Sequence, residues 1–151
     1  MDFNFRPADE EDREFLFALY CQTMHEVVEQ TWGWDEAWQR SDFDRRFDNY
    51  SASIVESDSQ SVGGLLLEIT PDSIYIHELQ LLPSYQGGGI GTAVVRHVIA
   101  QGVERGVPVI LSVVPANHRA QRLYERLGFT VTGVEAPFIR MRWSSFNPTA
   151  V

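Results

Sequence analysis

The chain has 151 residues, a length that suits one domain and leaves little room for two. Its content of 44% apolar and 22% charged residues is ordinary for a globular protein that buries a core without disulfides or metal staples. The single cysteine, Cys21, excludes an internal disulfide and any multi-cysteine zinc or iron–sulfur site, so we expect no metal. No apolar run approaches the roughly 20 residues of a membrane span, and the first residues lack the basic-then-apolar pattern of a secretory signal. We therefore expect one domain over residues 1–151, in the cytoplasm.

Acidic side chains outnumber basic ones, and they are unevenly placed. The net charge of −9 argues against nucleic acid or an anionic membrane surface as a main partner. Residues 1–60 hold 15 acidic and 5 basic side chains, a net charge of −10, whereas residues 61–151 hold 6 and 7, a net charge of +1. All twelve basic residues are arginine, which excludes a Walker-type phosphate loop because that loop needs a lysine.

Hydrophobic periodicity and turn residues predict eleven elements around one central sheet. In the first long helix, for example, Phe15, Leu19 and Val27 lie on one face because they recur at multiples of four residues. The predicted elements follow in chain order: a strand at 3–7, a helix ending near 30, a helix at 35–48, strands at 51–56, 62–70 and 73–82, a helix at 90–106, a strand at 109–114, a helix at 117–127, and a hairpin at 130–134 and 138–143. This order predicts an α/β (α+β) fold.

A glycine-rich loop is the most informative segment. Four glycines within five residues stand between a predicted strand and a predicted helix: Gly87, Gly88, Gly89 and Gly91. Glycine tolerates positive φ and lets a backbone approach a ligand closely, and the N–H groups at a helix start carry the positive end of its dipole. The loop is therefore predicted to hold a phosphate or pyrophosphate, since a simple tight turn needs only one glycine. A dinucleotide-binding fingerprint does not fit, because Val94 stands where its third glycine belongs.

Two motifs about thirty residues apart share the pattern of one family. The first is Gln86-x-x-Gly89-x-Gly91, and the second runs from Asn117 to Phe129 as N-x-x-A-x-x-L-Y-E-R-L-G-F. They resemble the acyl-coenzyme A loop and the C-terminal motif of the GNAT superfamily of N-acetyltransferases, although Gly88 stands where a basic residue is common. The resemblance covers the whole chain. It implies a GNAT-like fold: a mixed, mostly antiparallel sheet of about seven strands, flanked by about four helices, with strands 4 and 5 splayed apart.

The resemblance also implies acetyl-coenzyme A as the cofactor. Its pyrophosphate would meet the N–H groups of the loop that follows Gln86, which are those of Gly87, Gly88, Gly89, Ile90, Gly91 and Thr92. Its pantetheine arm would pair like a strand with the backbone of three residues, Leu79, Gln80 and Leu81. Asn117 would touch that arm and Tyr124 would lie beside the sulfur. Helical spacing independently places Asn117 and Tyr124 on one side of their helix. Three arginines lie on a different side of this helix, where a solvent-exposed face would account for them. One of them, Arg119 near the helix start, is the candidate for a contact with a cofactor phosphate.

Acyl transfer to an amine needs a base for the amine, a hydrogen-bond donor that stabilises the developing oxyanion, and an acid for the leaving thiolate. We expect Tyr124 to be the acid, a backbone N–H of residues 79–81 to stabilise the oxyanion, and Glu78 to be the base, directly or through a water. An ion pair or an exposed strand position would account for Glu78 equally well. His77 is an alternative base, or a partly buried structural histidine. On a regular strand Glu78 and Gln80 share one face, while His77, Leu79 and Leu81 share the other.

The acceptor side is predicted from aromatic and acidic residues at the junction of the first two helices. Trp32, Trp34 and Asp35 lie there, with His25 near the edge of the first helix's apolar face. Aromatic rings beside carboxylates suit a cation, so we expect a protonated amine to bind there. The same residues also have structural explanations: packing between the helices for the tryptophans and His25, and capping of the second helix for Asp35.

These expectations combine into an N-acetyltransferase that moves an acetyl group to a primary amine by direct transfer in a ternary complex. The acceptor is a small cationic molecule or a peptide amine. A non-catalytic acyl-coenzyme A-binding module and a generic nucleotide-phosphate binder are the alternatives. The last hairpin also offers a free strand edge that could form a homodimer.

Overall fold

The computed structural model describes residues 2–145. Its helices and strands follow in chain order: β1 Asn4–Pro7, α1 Arg13–Trp32, α2 Glu36–Asn49, β2 Ser51–Ser57, β3 Gln60–Ile69, β4 Ile74–Leu81, α3 Ile90–Arg105, β5 Val109–Val113, α4 His118–Arg126, β6 Thr130–Glu135 and β7 Phe138–Trp143. Two 3-10 turns, Glu10–Asp12 and Pro83–Tyr85, precede α1 and the glycine loop. All eleven predicted elements are present.

Short polar side chains and glycines set the helix ends. The carboxylate of Asp35 accepts from the N–H of Trp38 and so caps α2. The Asn117 side chain does the same for α4 by accepting from the N–H of Ala120. α1 ends at Gly33, whose φ of 84° lies outside the range that side-chain-bearing residues favour.

The seven strands form one sheet in the order β1-β2-β3-β4-β5-β7-β6, and every neighbouring pair is antiparallel except β4–β5. The parallel ladder joins only Ile74–Ile76 to Val109–Leu111. Beyond it β4 continues to Leu81 and β5 to Val113 without pairing to each other. The mixed sheet, the four helices and the splayed fourth and fifth strands are therefore confirmed.

The main core lies between the sheet and α3. Val94, Val95 and Val98 on α3 have no exposed surface, and they pack with strand residues such as Ile74 and Met141. α1 and α2 pack over part of the sheet as well, with Leu19, Val28 and Phe43 buried. Within residues 2–145, no helix combines the length and apolarity needed to cross a bilayer.

Two adjacent glycines in β3 let neighbouring elements approach closely. A Cβ at Gly63 would lie 2.6 Å from the backbone oxygen of Gln80 on β4, and a Cβ at Gly64 would lie 2.3 Å from Cδ2 of Leu16 on α1. Both distances are too short for a real Cβ, so a side chain at Gly63 would require movement of the β4 backbone, and one at Gly64 would require the Leu16 side chain to shift.

A β-bulge interrupts β4 at the point where β5 diverges. β3 pairs Leu66 with Glu78 and Leu67 with Ile76, so His77 is the extra residue. The His77 ring stacks on Tyr50, which follows α2, at 4.3 Å. Leu79 and Leu81, by contrast, pack in the core with α3. The expectation that His77 shares their face is wrong, because it assumed a regular strand.

Candidate active site

The glycine loop presents a row of amide donors. Gly87 and Gly89 have φ values of 78° and 93°, and α3 begins at the next residue, Ile90. The first helical hydrogen bond runs from the N–H of Ala93 to the carbonyl of Gly89. Among the described residues, no acceptor meets the N–H groups of residues 87–92. An anion placed here would meet several N–H groups and the positive end of the α3 dipole.

A cavity of about 490 Å³ opens beside this loop. Most of the predicted cofactor residues line it: Leu79, Gln80, Leu81, Gln86, Gly87, Gly89, Gly91, Thr92, Asn117 and Arg119. The predicted catalytic residue Tyr124 lines it as well. Two predicted residues lie outside its lining: Gly88 is exposed, and the Ile90 side chain is buried in the core.

Arg119 supplies a positive charge at the loop where Gly88 does not. Its Nη1 donates to Oε1 of Gln86 at 3.0 Å, and Nε2 of Gln86 donates to the carbonyl of Leu81 at 2.9 Å. Its Nη2 lies so close to Gly87 that a Cβ there would be 3.3 Å away. These two hydrogen bonds link β4 through the Gln86 side chain to Arg119 on α4, and they hold the guanidinium against the amide row.

A second cavity, of about 640 Å³, adjoins the first between the splayed strands. The two cavities share six lining residues: Met24, Leu79, Gln80, Asn117, Ala120 and Tyr124. Within residues 2–145, the edge of β4 beyond Ile76 that faces β5 has no strand partner. Apart from the Leu81 carbonyl, which accepts from Gln86, its backbone polar groups are available to a ligand lying between the strands.

Tyr124 stands where the two cavities meet. Only 8% of the residue is exposed, and its ring packs edge-on against Phe129 at 5.4 Å. Within residues 2–145 its hydroxyl has no hydrogen-bond partner. Burial, with a smaller effect from the charge of Glu78, raises the pKa of Tyr124 above its ordinary value. Like an ordinary tyrosine, the phenol carries its proton at neutral pH, so its O–H can donate to a group placed beside it.

Glu78 lies in the second cavity as part of a buried ion-pair network. Nη1 of Arg46 contacts its Oε1 at 2.5 Å, and Nε2 of Gln80 donates to its Oε2 at 2.5 Å. Nε of Arg46 also contacts Oδ2 of Asp42 at 3.0 Å. The ion pair that the sequence left open is present. Each Glu78 oxygen accepts one hydrogen bond and keeps a second lone-pair direction for a ligand or a water.

His77 lines the same cavity, one residue earlier on the bulge. Its Nε2 lies 2.9 Å from Oε1 of Glu68 on β3, and its ring contacts Tyr75 at 4.6 Å. The hydroxyl of Tyr75 in turn donates to Ser112 on β5 at 2.8 Å or accepts from it. The bulge therefore brings two candidate bases, His77 and Glu78, to one cavity.

Exposed aromatic rings form part of this cavity's wall. Trp32, 52% exposed at the end of α1, contacts the Phe138 ring of β7 at 5.3 Å. Trp38, 58% exposed, also lines the cavity, as does Asp35. Trp32 and Asp35, two of the residues predicted for the acceptor side, therefore lie in the wall of this cavity.

Trp34 and His25 line neither cavity. Their rings stack on each other at 4.3 Å, and Trp34 also stacks on Tyr20 at 6.1 Å. His25 is exposed and lies 3.1 Å from Glu29 on the next helical turn. Tyr20 does line the second cavity, so its ring lies between that cavity and the stacked rings of Trp34 and His25.

Arg46 is the site residue that the sequence reading missed. The sequence does carry a signal for it, because Gln39, Phe43 and Arg46 recur at the i, i+4, i+7 spacing of one helix face. In the structure all three residues are buried. A buried arginine needs a partner, and Glu78 provides it.

Comparisons with known proteins agree with this geometry. The acetyltransferase (GNAT) family matches residues 13–129. Mycothiol acetyltransferase of Thermomonospora curvata is 32% identical over 109 residues, which cover 68% of this chain and 37% of that protein. N-alpha-acetyltransferase 40 of Saccharomyces cerevisiae is 33% identical over 87 residues, which cover 52% and 30%. The chain thus spans well under two thirds of the curated relatives that it matches.

Solved structures share the fold at low identity. PaiA N-acetyltransferase of Thermoplasma acidophilum, in complex with coenzyme A, superposes with a TM-score of 0.78 at 18% identity and covers 95% of this chain and 99% of its own. NAA60 of Arabidopsis thaliana, in complex with a bisubstrate analogue, gives 0.70 at 17% identity and covers 94% and 97%. Because the family match extends over more than half of its residues, the chain belongs to the acetyltransferase (GNAT) family.

Proposed function

We propose that this protein moves an acetyl group from acetyl-coenzyme A to a primary amine by direct transfer in a ternary complex. One observation carries the proposal: two adjoining cavities, one beside the amide row and one beside the carboxylates, meet at Tyr124. Such an arrangement lets a thioester and an amine approach each other from two sides of one phenol, which is what direct transfer requires.

The donor set of the first cavity fits coenzyme A. The amides of residues 87–92 and the guanidinium of Arg119 are suited to a pyrophosphate, and the open edge of β4 at residues 79–81 is suited to an amide-bearing arm. Acetyl-coenzyme A would supply the activated acetyl group as a thioester. The complex of PaiA N-acetyltransferase with coenzyme A supports the same choice.

The chain's own groups cover the three chemical needs of the reaction. Glu78 would take the proton of the acceptor ammonium, directly or through a water, using the lone pairs left on its oxygens. A backbone N–H of residues 79–81 would donate to the thioester oxygen as negative charge develops. Tyr124 would give its proton to the departing sulfur, since its hydroxyl has no other partner among residues 2–145.

The acceptor is proposed to be a small cationic molecule or a peptide amine. Three carboxylates, those of Asp35, Asp42 and Glu78, line the second cavity with one guanidinium, that of Arg46, so the wall favours a cation. The rings of Trp32 and Trp38 add cation–π surface. Peptide amines gain support from a relative named [Ribosomal protein bS18]-alanine N-acetyltransferase in Haemophilus influenzae, 31% identical over 71 residues, which cover 47% of this chain and 49% of that protein.

The remaining proposals concern partners and location. The net charge of −9 supports a protein that does not use nucleic acid or a membrane as its main partner, in keeping with a cytoplasmic enzyme. Homodimer formation through β6 is proposed because β6 is an edge strand on which Val131 and Val134 are 50% and 72% exposed.

Release of free thiol from acetyl-coenzyme A, measured against a panel of amines, tests the proposal. We expect amine-dependent release together with acetylated product. The sequence contains no lysine, so lysine self-acetylation cannot produce a false signal. Binding of acetyl-coenzyme A without transfer to any amine would favour the non-catalytic module. Thermal stabilisation by ATP but not by acetyl-coenzyme A would favour the nucleotide binder.

A further inference from the structure

Arg46 is a buried arginine in the wall of the second cavity, termed the acceptor cavity because the acceptor is proposed to bind there. Its side chain is 8% exposed and lies against the carboxylates of Glu78 and Asp42. Burial alone would lower the pKa of Arg46, but the two carboxylates more than reverse that effect and the pKa is raised. The guanidinium is therefore a fixed positive charge.

One end of this guanidinium is unused. Nε and Nη1 donate to Asp42 and Glu78, whereas Nη2 has no acceptor among residues 2–145. Over those same residues, the only fully covered side-chain polar atom without a partner is Nε of Arg140. Nη2 of Arg46 thus keeps accessible surface, and the space that Arg46 lines is the acceptor cavity. A charged donor in such a wall favours a ligand that brings it an oxygen.

We infer that Nη2 of Arg46 donates to a carbonyl oxygen next to the reacting amine of the acceptor. Arg46 is then a specificity-determining residue that favours the α-amine of a peptide over a simple alkyl amine. This inference rests on the proposed function, because it requires the reacting amine to lie near Glu78.

The contact between Arg46 and Glu78 supports this assignment. A proton acceptor and a hydrogen-bond donor lie side by side, since Nη1 and Oε1 are 2.5 Å apart. In an α-amine followed by a peptide bond, the nitrogen and the carbonyl oxygen are about 3 Å apart, so both can be met at once. An alkyl amine or a lysine side chain offers no oxygen at that position.

The charges in the cavity select a neutral carbonyl rather than a carboxylate. Asp35, Asp42 and Glu78 line the cavity with one guanidinium, so a further negative group would be repelled. A peptide or an amino acid amide therefore fits better than a free amino acid.

Alaninamide and isopropylamine test the inference, because they share a carbon skeleton and differ in the carbonyl group. We expect kcat/KM per unprotonated amine to be at least about tenfold higher for alaninamide, the size of one charge-assisted hydrogen bond. Intrinsic reactivity predicts the opposite order, since isopropylamine is the more basic amine. Free alanine should be a poorer acceptor than alaninamide.

The variant Arg46→Gln should abolish the alaninamide preference, so that the two amines are used to within about threefold of each other, because the charge-assisted hydrogen bond is lost. Its absolute activity will also fall, since Glu78 loses its partner, so the preference between the two amines is the readout. Arg45→Gln is the matched control: Arg45 is the exposed neighbour that also pairs with Asp42, and this change should leave the preference intact.

Each outcome decides the question. Equal use of the two amines by the unmodified protein overturns the inference and leaves the proposed function standing, and this measurement does not depend on whether Arg46→Gln folds. A preference that survives in Arg46→Gln also overturns it. If no amine of any kind is acetylated, the proposed function fails and the inference fails with it.

Discussion

At the scale of single residues, the position of Tyr124 makes it the candidate acid. It lines both cavities, and its hydroxyl has no hydrogen-bond partner within residues 2–145. Replacing it with phenylalanine keeps the ring that packs on Phe129, and the lost hydroxyl leaves no broken hydrogen bond among the described residues.

Tyr124→Phe should therefore lower kcat by about a hundredfold while thermal stability stays nearly unchanged. Tyr50→Phe, at a tyrosine that lines neither cavity, is the control and should retain kcat. Full activity in Tyr124→Phe, measured by thiol release at saturating substrates, would remove Tyr124 from the mechanism.

Glu78→Gln should lower kcat/KM by about a hundredfold, because an amide cannot take the ammonium proton. The matched carboxylate-to-amide change on the neighbouring strand, Glu68→Gln, removes the negative charge beside His77 instead and should cost only a few-fold. The reverse result, with Glu68→Gln the more damaging change, would assign the base to His77.

Sequence reasoning reached most individual residues through motifs, but it missed Arg46. Periodicity could place Arg46 on the buried side of α2. It could not reveal that a strand 32 positions later supplies the carboxylate that makes this burial possible. Trp34 and His25 show the converse. Chain proximity to Trp32 suggested the cavity for Trp34, and the edge of the apolar face of α1 suggested it for His25, whereas in the structure the two rings stack against each other.

At the scale of elements, local patterns predicted the helices and strands well because caps and turn residues mark their ends. The bulge at His77 was not predicted. It depends on pairing between β3 and β4, which leaves no local signature in the β4 sequence. The same pairing explains why Gly63 is needed opposite Leu81.

Gly63→Ala should lower the free energy of unfolding by about 1–3 kcal/mol, because the added methyl would press on the backbone oxygen of Gln80. Gly133→Ala, on β6 where a Cβ meets no atom within 4 Å, should stay within about 0.5 kcal/mol of the unmodified protein. Chemical denaturation of both variants provides the comparison, and equal effects would contradict the close approach of β3 and β4.

The first strand and the first helix are tied together by Arg6 and Asp12. Two guanidinium nitrogens donate to the two Asp12 oxygens at 2.8 Å each, and this contact with Arg6 is the main reason that the pKa of Asp12 falls to about 2. Because the folded pKa lies below the unfolded value of 3.8, the stabilisation is present above about pH 4 and is lost as the pH falls towards 2.

Asp12→Asn should therefore cost about 2 kcal/mol at pH 7, and the difference from the unmodified protein should shrink as the pH is lowered below 4. Urea denaturation at several pH values measures it, with Asp72→Asn in an exposed turn as the control. A difference that does not change with pH would mean that lost packing, rather than the ion pair, explains the cost.

At the scale of the whole molecule, the acidic and the near-neutral parts of the chain contribute different charges to the two cavities. The acidic residues 1–60 supply Asp35 and Asp42 to the acceptor cavity, whereas the near-neutral residues 61–151 supply the amide row and Arg119 to the other. A cationic acceptor and an anionic cofactor would each meet the half of the chain that attracts it.

The acceptor KM should therefore depend on salt in proportion to acceptor charge. At saturating acetyl-coenzyme A, the KM of an alanyl-arginine amide should rise several-fold between 50 and 500 mM salt, because the screening length falls from above about 10 Å to well below it over this range. The uncharged analogue alanyl-glutamine amide should change less. An identical salt response for both peptides would contradict electrostatic attraction of the acceptor.

The arrangement of cofactor, phenol and amine is tested most directly by a crystal structure of the protein with acetyl-coenzyme A. The account predicts the pyrophosphate against the amides of residues 87–92, the arm along residues 79–81 of β4, and the sulfur beside the hydroxyl of Tyr124. A pyrophosphate bound away from the loop, or a sulfur remote from Tyr124, would contradict it.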